Sequence, residues 1–326
     1  MADGGEGTTA TLAQALGAEL IQVEIQDALA RPRMAHLAWN AKTRLTILEV
    51  AEACGLEHIE EQERNPKAAT SFGVGTMILR ALALGARRIV VGLGGSASND
   101  AGAGMMRALG ARLLDARGKD LPPGGQALSN LADMILDGLD PRLWEVTIQL
   151  ACEVTNPLLG PSGASAIFGP QKGADETTVK DLDAALSRWA EVAETISGRS
   201  VRTVAGAGAA GGLGAAFMAF FDTEVCPGVE LVLDTVGFDE KLHNAELVLT
   251  GEGSIDAQSS SGKVPWGLVS RARSHGVPTV VFGGRVSAEV ELETPDGVLA
   301  FVPKDTRATP MSCIRGLRKI RTAISA

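Results

Sequence analysis

Apolar positions along the chain fall into short runs separated by longer stretches of helical period. Arg88-Ile-Val-Val-Gly92 has the pattern of a buried strand, and GAGMMRALGARLL after it, residues 102–114, reads as helical. Val146-Thr-Ile-Gln-Leu-Ala-Cys152 predicts another strand. The clearest amphipathic helix is 177–197, where Val179, Leu182, Leu186, Trp189, Val192 and Ile196 recur three or four positions apart. Nearer the C-terminus, 246–250, 277–282 and 299–302 are apolar runs, with helices predicted at 264–275 and 308–324. Strands that alternate with helices need crossover connections, and crossovers build a mainly parallel sheet. The pattern therefore predicts an α/β protein. With no internal repeat and no Pro/Ser linker, any domain boundary is expected to be a crossing of the chain and not a tether.

Composition sharpens this in one respect. Hydrophobic residues are 45% and charged residues 21%, which is ordinary, but there are 39 glycines among 326 residues, about 12% against a typical ~7%. They cluster without a repeat, so they act as backbone devices: turns, close approaches and anion loops. A net charge of −9 without a basic run argues against nucleic acid as a partner. Cys54, Cys152, Cys226 and Cys313 are scattered, with no zinc-type spacing, as expected of reduced thiols in a cytoplasmic protein. The polar, acidic start Met1-Ala-Asp-Gly-Gly-Glu-Gly does not read as a signal peptide. Residues 203–221 carry no charge, yet their first half is Gly and Ala, which predicts a buried helix and not a membrane span.

Candidate chemistry gathers in five places. In Gly92-Leu-Gly-Gly-Ser-Ala-Ser-Asn-Asp100 a strand runs into glycines, hydroxyls and a helix start. That combination lets backbone N–H groups, Ser96, Ser98 and Asn99 approach an anion; a helix cap alone needs only one such residue. Thr250-Gly-Glu-Gly-Ser-Ile-Asp256, followed by Ser261-Gly-Lys263, sets two carboxylates and a lysine after another strand, where ligands collect in parallel sheets. Phosphoryl transfer uses such a set: acidic groups for Mg²⁺ or the hydroxyl proton, and a cation for phosphate. Asp3-Gly-Gly-Glu6-Gly-Thr8 also places carboxylates among glycines. Gly206-Ala-Gly-Ala-Ala-Gly211 matches the dinucleotide fingerprint letter for letter but lacks its strand, so a wall that permits close approach of ligand or backbone is expected instead. Lys172, in Phe168-Gly-Pro-Gln-Lys-Gly173, is either an anion contact or an exposed loop lysine. His36, His58, His243 and His275 show no motif spacing, and no nucleophile elbow or zinc site is visible.

Taken in order, ADGGEGT (2–8), GLGGSASNDAGAGMMRALG (92–110), LPPGGQAL (121–128), NPLLGPSGASAIFGPQKGA (156–174), GAGAAGGLG (206–214) and TGEGSIDAQSSSGKVP (250–265) resemble the bacterial-type (type I) glycerate kinase family across essentially the whole chain. The resemblance implies ATP- and Mg²⁺-dependent phosphorylation of D-glycerate, usually to 2-phosphoglycerate. It implies a flavodoxin-like domain from residues 1–15 and 237–326, interrupted by a restriction-endonuclease-like domain over 16–236, with a homodimer possible. The family opens with a strand ending in Asp-Ser-Phe-Lys, a helix and a second strand before the ADGGEGT element, so this chain is expected to be N-terminally truncated. It also carries Thr155 and Ser254 where the family has Asp and Arg.

The roles expected on residue type are these. Gly94, Gly95, Ser96, Ala97, Ser98, Asn99, Gly251 and Gly253 hold nucleotide phosphates. Glu252 and Asp256 take Mg²⁺ or orient the hydroxyl, with Asp100 behind them, and Lys263 offsets phosphate charge. Asp3, Glu6, Asn65 and Lys172 hold the substrate. Three alternatives stay open: a truncated remnant that only binds ligand, another small-molecule kinase with a GLGGSAS loop such as those of the galactokinase–homoserine kinase group, and an NAD-binding oxidoreductase resting on Gly206–Gly211.

Overall fold

A computed structural model describes residues 7–255, 264–286 and 299–301. Within them lie the strands β1 (Glu19–Gln26), β2 (Pro32–Asn40), β3 (Leu45–Glu49), β4 (Arg88–Gly92), β5 (Arg112–Leu114), β6 (Asp133–Ile135), β7 (Thr147–Ala151), β8 (Thr223–Cys226), β9 (Val248–Ile255), β10 (Thr279–Val286) and β11 (Leu299–Phe301). The α-helices are α1 (Thr8–Leu16), α2 (Val50–Cys54), α3 (Phe72–Leu84), α4 (Ala103–Ala108), α5 (Ala164–Phe168), α6 (Glu176–Ser197), α7 (Ala209–Phe220), α8 (Gly228–Thr235), α9 (Phe238–Leu242) and α10 (Val264–Ser274). The chain divides into two compact units, Met1–Gly228 and Val229–Ala326.

The first unit is built on a six-stranded sheet of order β1-β2-β3-β4-β7-β8. Its half from β3 to β8 is parallel, as the strand–helix alternation predicts. Its other edge is an antiparallel hairpin, β1 and β2, that joins β3 antiparallel. The hairpin is absent from the expectations above, although β1 alternates: Val23 and Ile25 are buried between exposed Gln22, Glu24 and Gln26. Ile89, Val91, Ile148 and Leu150 carry the strands into the core, against Trp189 and Phe217 of the covering helices.

The expected helix at 177–197 is α6. Asp175 caps it by accepting from the Thr178 N–H at 2.7 Å, and Gly198 ends it at φ 68°. Leu182, Leu186, Trp189 and Val192 form its buried stripe, whereas Ile196 at the last turn is exposed. The helical reading of 102–114 fails beyond Ala108. Gly110, at φ 113°, turns the chain out of the helix, and Arg112–Leu114 pairs antiparallel with β6. Short apolar runs fit either period, and pairing with a partner strand decides.

The apolar stretch 203–221 does supply a buried helix, α7, in which only Met218 is partly accessible. No helix among the described residues is long and apolar enough to cross a membrane. Cys54 and Cys152 are buried thiols, Cys226 is half-buried, and Cys313 lies outside the described residues.

In the second unit β9, β10 and β11 form a parallel sheet in the order β11-β10-β9. Val229, Leu233, Leu268 and Ala272 pack with Val248 and Val277 as its core. Arg271 of α10 bonds Glu230 at 2.8 Å, Asp239 at 2.7 Å and Asp234, gathering α8 and α9 around one guanidinium. The helix expected at 308–324 lies outside the described residues.

Candidate active site

Glu49, Gly92 and Ala151 stand level across the carboxyl ends of β3, β4 and β7. The glycine loop leaves the sheet there. Its backbone is stitched to its neighbours: the Leu93 N–H donates to the Ala151 carbonyl (3.1 Å), Ala97 N–H to Cys54 (2.7 Å) and Ala101 N–H to Gly211 (3.0 Å), while the Gly95 carbonyl accepts from Leu56 N–H (2.8 Å). Ser96 and Ala97 are 4% exposed, and Ser98, Asn99 and Asp100 are fully enclosed. Gly94 is half-buried and Gly95 exposed, so the loop offers its tip and not its whole length to a ligand. Beyond it α4 is only six residues long, too short for a strong helix dipole.

The buried side chains of the loop face protein. Ser98 Oγ lies 3.7 Å from Cys54 Sγ, and Asn99 Nδ2 donates to Ser165 Oγ at 3.0 Å. Asp100 Oδ2 accepts from the Ser71 N–H (2.9 Å), Ser71 Oγ (3.0 Å) and the Gly104 N–H (3.1 Å), and Oδ1 from the Gly102 N–H (3.2 Å). Burial pushes its carboxyl above the ordinary range, and the donors from Ser71, Gly104 and Gly102 oppose that. Asp100 thus ties the starts of α3 and α4 to the loop.

Lys172 ends the turn Pro170–Lys172 and is 2% exposed. Its Nζ donates to Ser96 Oγ (3.0 Å) and to the Ser98 carbonyl (2.7 Å). Asn65, by contrast, is exposed; its Oδ1 accepts from the Lys67 N–H at 3.1 Å. The 206–214 segment is the wall predicted for it, and what approaches it is backbone. Ala210, Gly211 and Gly212 take left-handed angles inside α7, and a Cβ on Gly211 would overlap the Ser98 carbonyl.

Glu49 is a buried carboxylate at this end of the sheet that motif reading missed. It is 3% exposed and accepts from the Gly7 N–H (3.0 Å) and the Thr9 N–H, holding the end of the ADGGEGT element to β3. Its only sequence signal is position: a carboxylate closing the apolar run Leu-Thr-Ile-Leu-Glu49, at the end of a strand where ligands gather.

In the second unit Gly251, Glu252 and Gly253 belong to β9, which continues to Ile255; Gly251 lies opposite Phe282 and Glu252 opposite Gly283. The expected loop from 251 is strand instead, because β10 pairs with it that far. Asp3, Glu6, Asp256 and Lys263 lie outside the described residues. Among the described residues no group of three or more His, Cys, Asp or Glu is placed to hold a metal ion.

Comparison with known proteins bears on the whole chain. The model of the "Glycerate kinase family" matches residues 1–319. The glycerate kinase of Bacillus subtilis is 41% identical over 311 residues, which is 95% of this chain and 81% of the relative. The glycerate 2-kinase of Escherichia coli is 44% identical over 299 residues, 91% of this chain and 78% of the relative. The crystal structure of a putative glycerate kinase 2 from Salmonella typhimurium LT2 superposes with a TM-score of 0.85 at 39% identity, covering 99% of this chain and 85% of that one.

Proposed function

The chain belongs to the glycerate kinase family, and from that membership we propose that it transfers the γ-phosphoryl group of ATP to D-glycerate, with 2-phosphoglycerate as product. The observation that carries the phosphoryl chemistry is the glycine loop at the carboxyl end of β4. Only Gly94 and Gly95 are accessible there, and every residue from Ser96 to Asp100 is locked in protein. A side-chain-free tip on a fixed support is a preorganised surface for phosphate oxygens. Direct transfer asks for little covalent help from the protein, so catalysis rests on positioning and charge.

Glu252 and Asp256 are our candidates for Mg²⁺: carboxylate oxygens are the hard donors this ion takes. When bound, the ion neutralises charge on the transferred phosphoryl group. Lys263 adds a cation for phosphate, and Gly251 and Gly253 keep that strand free of bulk. Asn65, Asp3 and Glu6 are the candidates for glycerate. Asp100 we assign to positioning, since its oxygens already accept four hydrogen bonds.

The test is an ATP-consumption assay with D-glycerate, L-glycerate and no acceptor, with the product identified by NMR. The expected result is ADP release that requires D-glycerate and a phosphate on C2. ADP release at the same rate without acceptor overturns the assignment, and a phosphate on C3 overturns the product.

A further inference from the structure

Lys172 stood among the candidates for holding the substrate carboxylate, yet its surroundings give it another task. The turn from Gly169 to Gly173 aims it inward. The Lys172 N–H donates to the Gly169 carbonyl (2.9 Å), and Gly173, at φ 94°, closes the turn. Outside, Arg64 Nη1 donates to the Gln171 carbonyl at 3.2 Å and holds the turn down. Inside, two of the three ammonium protons are taken by Ser96 Oγ and the Ser98 carbonyl. The same segment of chain grips the loop once more, because Ser165 of α5 accepts from Asn99. A lysine 2% exposed and engaged in this way has no path to a bound carboxylate.

Resting on the kinase reading of the loop, we propose that Lys172 is a positioning residue for the nucleotide: its buried ammonium, with Ser165 beside it, holds Ser96–Asn99 in the shape that presents Gly94 and Gly95 to phosphate. Desolvated charge in an enclosed site acts over a longer range than in water. The cation therefore also favours negative charge above the loop.

The charged and titratable groups that face Lys172 are few. Asp100 comes from the loop itself and Cys54 from α2. Burial pushes the Cys54 thiol up to about 12, so it stays neutral near physiological pH. Burial pulls the lysine down to about 8, with the Asp100 carboxylate opposing. A lysine lowered in the folded state binds fewer protons than the unfolded chain between about 8 and its ordinary 10.5. This group's contribution to stability therefore rises with pH across that window. Activity that falls while the fold holds is the mark of a charge needed by the loop.

The experiment compares wild type, Lys172→Met, Lys172→Arg and Ser165→Ala. It reads the Kd of Mg²⁺-ATP by displacement of a fluorescent nucleotide, the KM for each substrate, and the pH profile. For Lys172→Met we expect ATP Kd and KM to rise about tenfold with the glycerate KM within about twofold, and for Ser165→Ala the same split at about threefold. Wild type should lose kcat/KM for ATP above pH ~8 without a fall in thermal midpoint, and Lys172→Arg should lack that limb.

A rise confined to the glycerate KM makes Lys172 a substrate ligand and overturns the proposal; so does a Lys172→Met chain with both constants unchanged. If Lys172→Met does not fold, wild type and Ser165→Ala decide. A flat profile through pH ~8 together with an unchanged Ser165→Ala overturns it. Should wild type bind ATP but not consume it with D-glycerate, the function above falls while the Kd comparison still judges the lysine. A wild type that binds no ATP overturns both.

Discussion

Asp100 accepts hydrogen bonds from Ser71 twice, from Gly102 and from Gly104, so one carboxylate fixes the start of α3, the start of α4 and the end of the glycine loop. Its two oxygens are not equivalent: Oδ2 takes three of the four bonds. Asp100→Asn can keep its carbonyl at that position and lose only the Gly102 contact, where an NH₂ group would face an N–H. The expected cost is about 1–3 kcal/mol of stability, the penalty for an unsatisfied buried donor. Asp100→Ala orphans all the donors and should cost more. Urea titration measures both. An Asp100→Asn chain with unchanged midpoint and a hundredfold lower kcat (about 2.7 kcal/mol of barrier) would place Asp100 in the chemistry and not behind it.

Among the elements, α7 shows what a glycine cluster does when it is not a nucleotide fingerprint. Its first turn reverses hand at Ala210, Gly211 and Gly212, and the Gly211 carbonyl accepts from Ala101. Gly211→Ala sets a methyl group against the Ser98 carbonyl at a φ of 67°. Overpacking of this kind costs roughly 1–3 kcal/mol, so the variant should melt several degrees lower and bind nucleotide more weakly as the loop shifts. An unchanged melting point would mean that the loop yields easily and is not held by this wall.

β4, the loop after it and α6 were readable in the sequence because apolar period and capping residues are local. The site's supports were not. Lys172 stands between Gln171 and Gly173 with no cue that it is buried, since burial of a lysine depends on what packs over it. The strand β5 was hidden in a helical period because only its partner β6 selects the strand. Glu49 carries no motif, and its importance comes from standing level with Gly92 across the sheet.

At the scale of the molecule, pH acts on two opposed populations of carboxylates. Asp120, Asp140 and Asp239 are held low by hydrogen bonds from Arg112, Arg142 and Arg271. Their stabilisation is present above the ordinary carboxylate range and is lost as pH falls. Glu49 and Asp100 behave the other way, because burial raises them, with Glu52 adding repulsion at Glu49. A raised group contributes stability that is complete below its unfolded value, 4.5 for Glu49, and disappears as pH climbs through its folded value. A single pH–stability curve mixes both populations, so the informative measurement is a difference. Glu49→Gln cannot titrate but keeps one acceptor for Gly7 or Thr9. The advantage of wild type over this variant should be largest near pH ~4 and shrink toward neutrality, by about 1.4 kcal/mol for each pH unit over which Glu49 stays protonated only in the folded chain. An advantage that instead grows with pH would mean the two N–H donors outweigh burial. Glu49 would then be an ordinary ionised cap on the Gly7 turn, and the strand end would present a full negative charge beside the glycine loop, where phosphate is expected to sit.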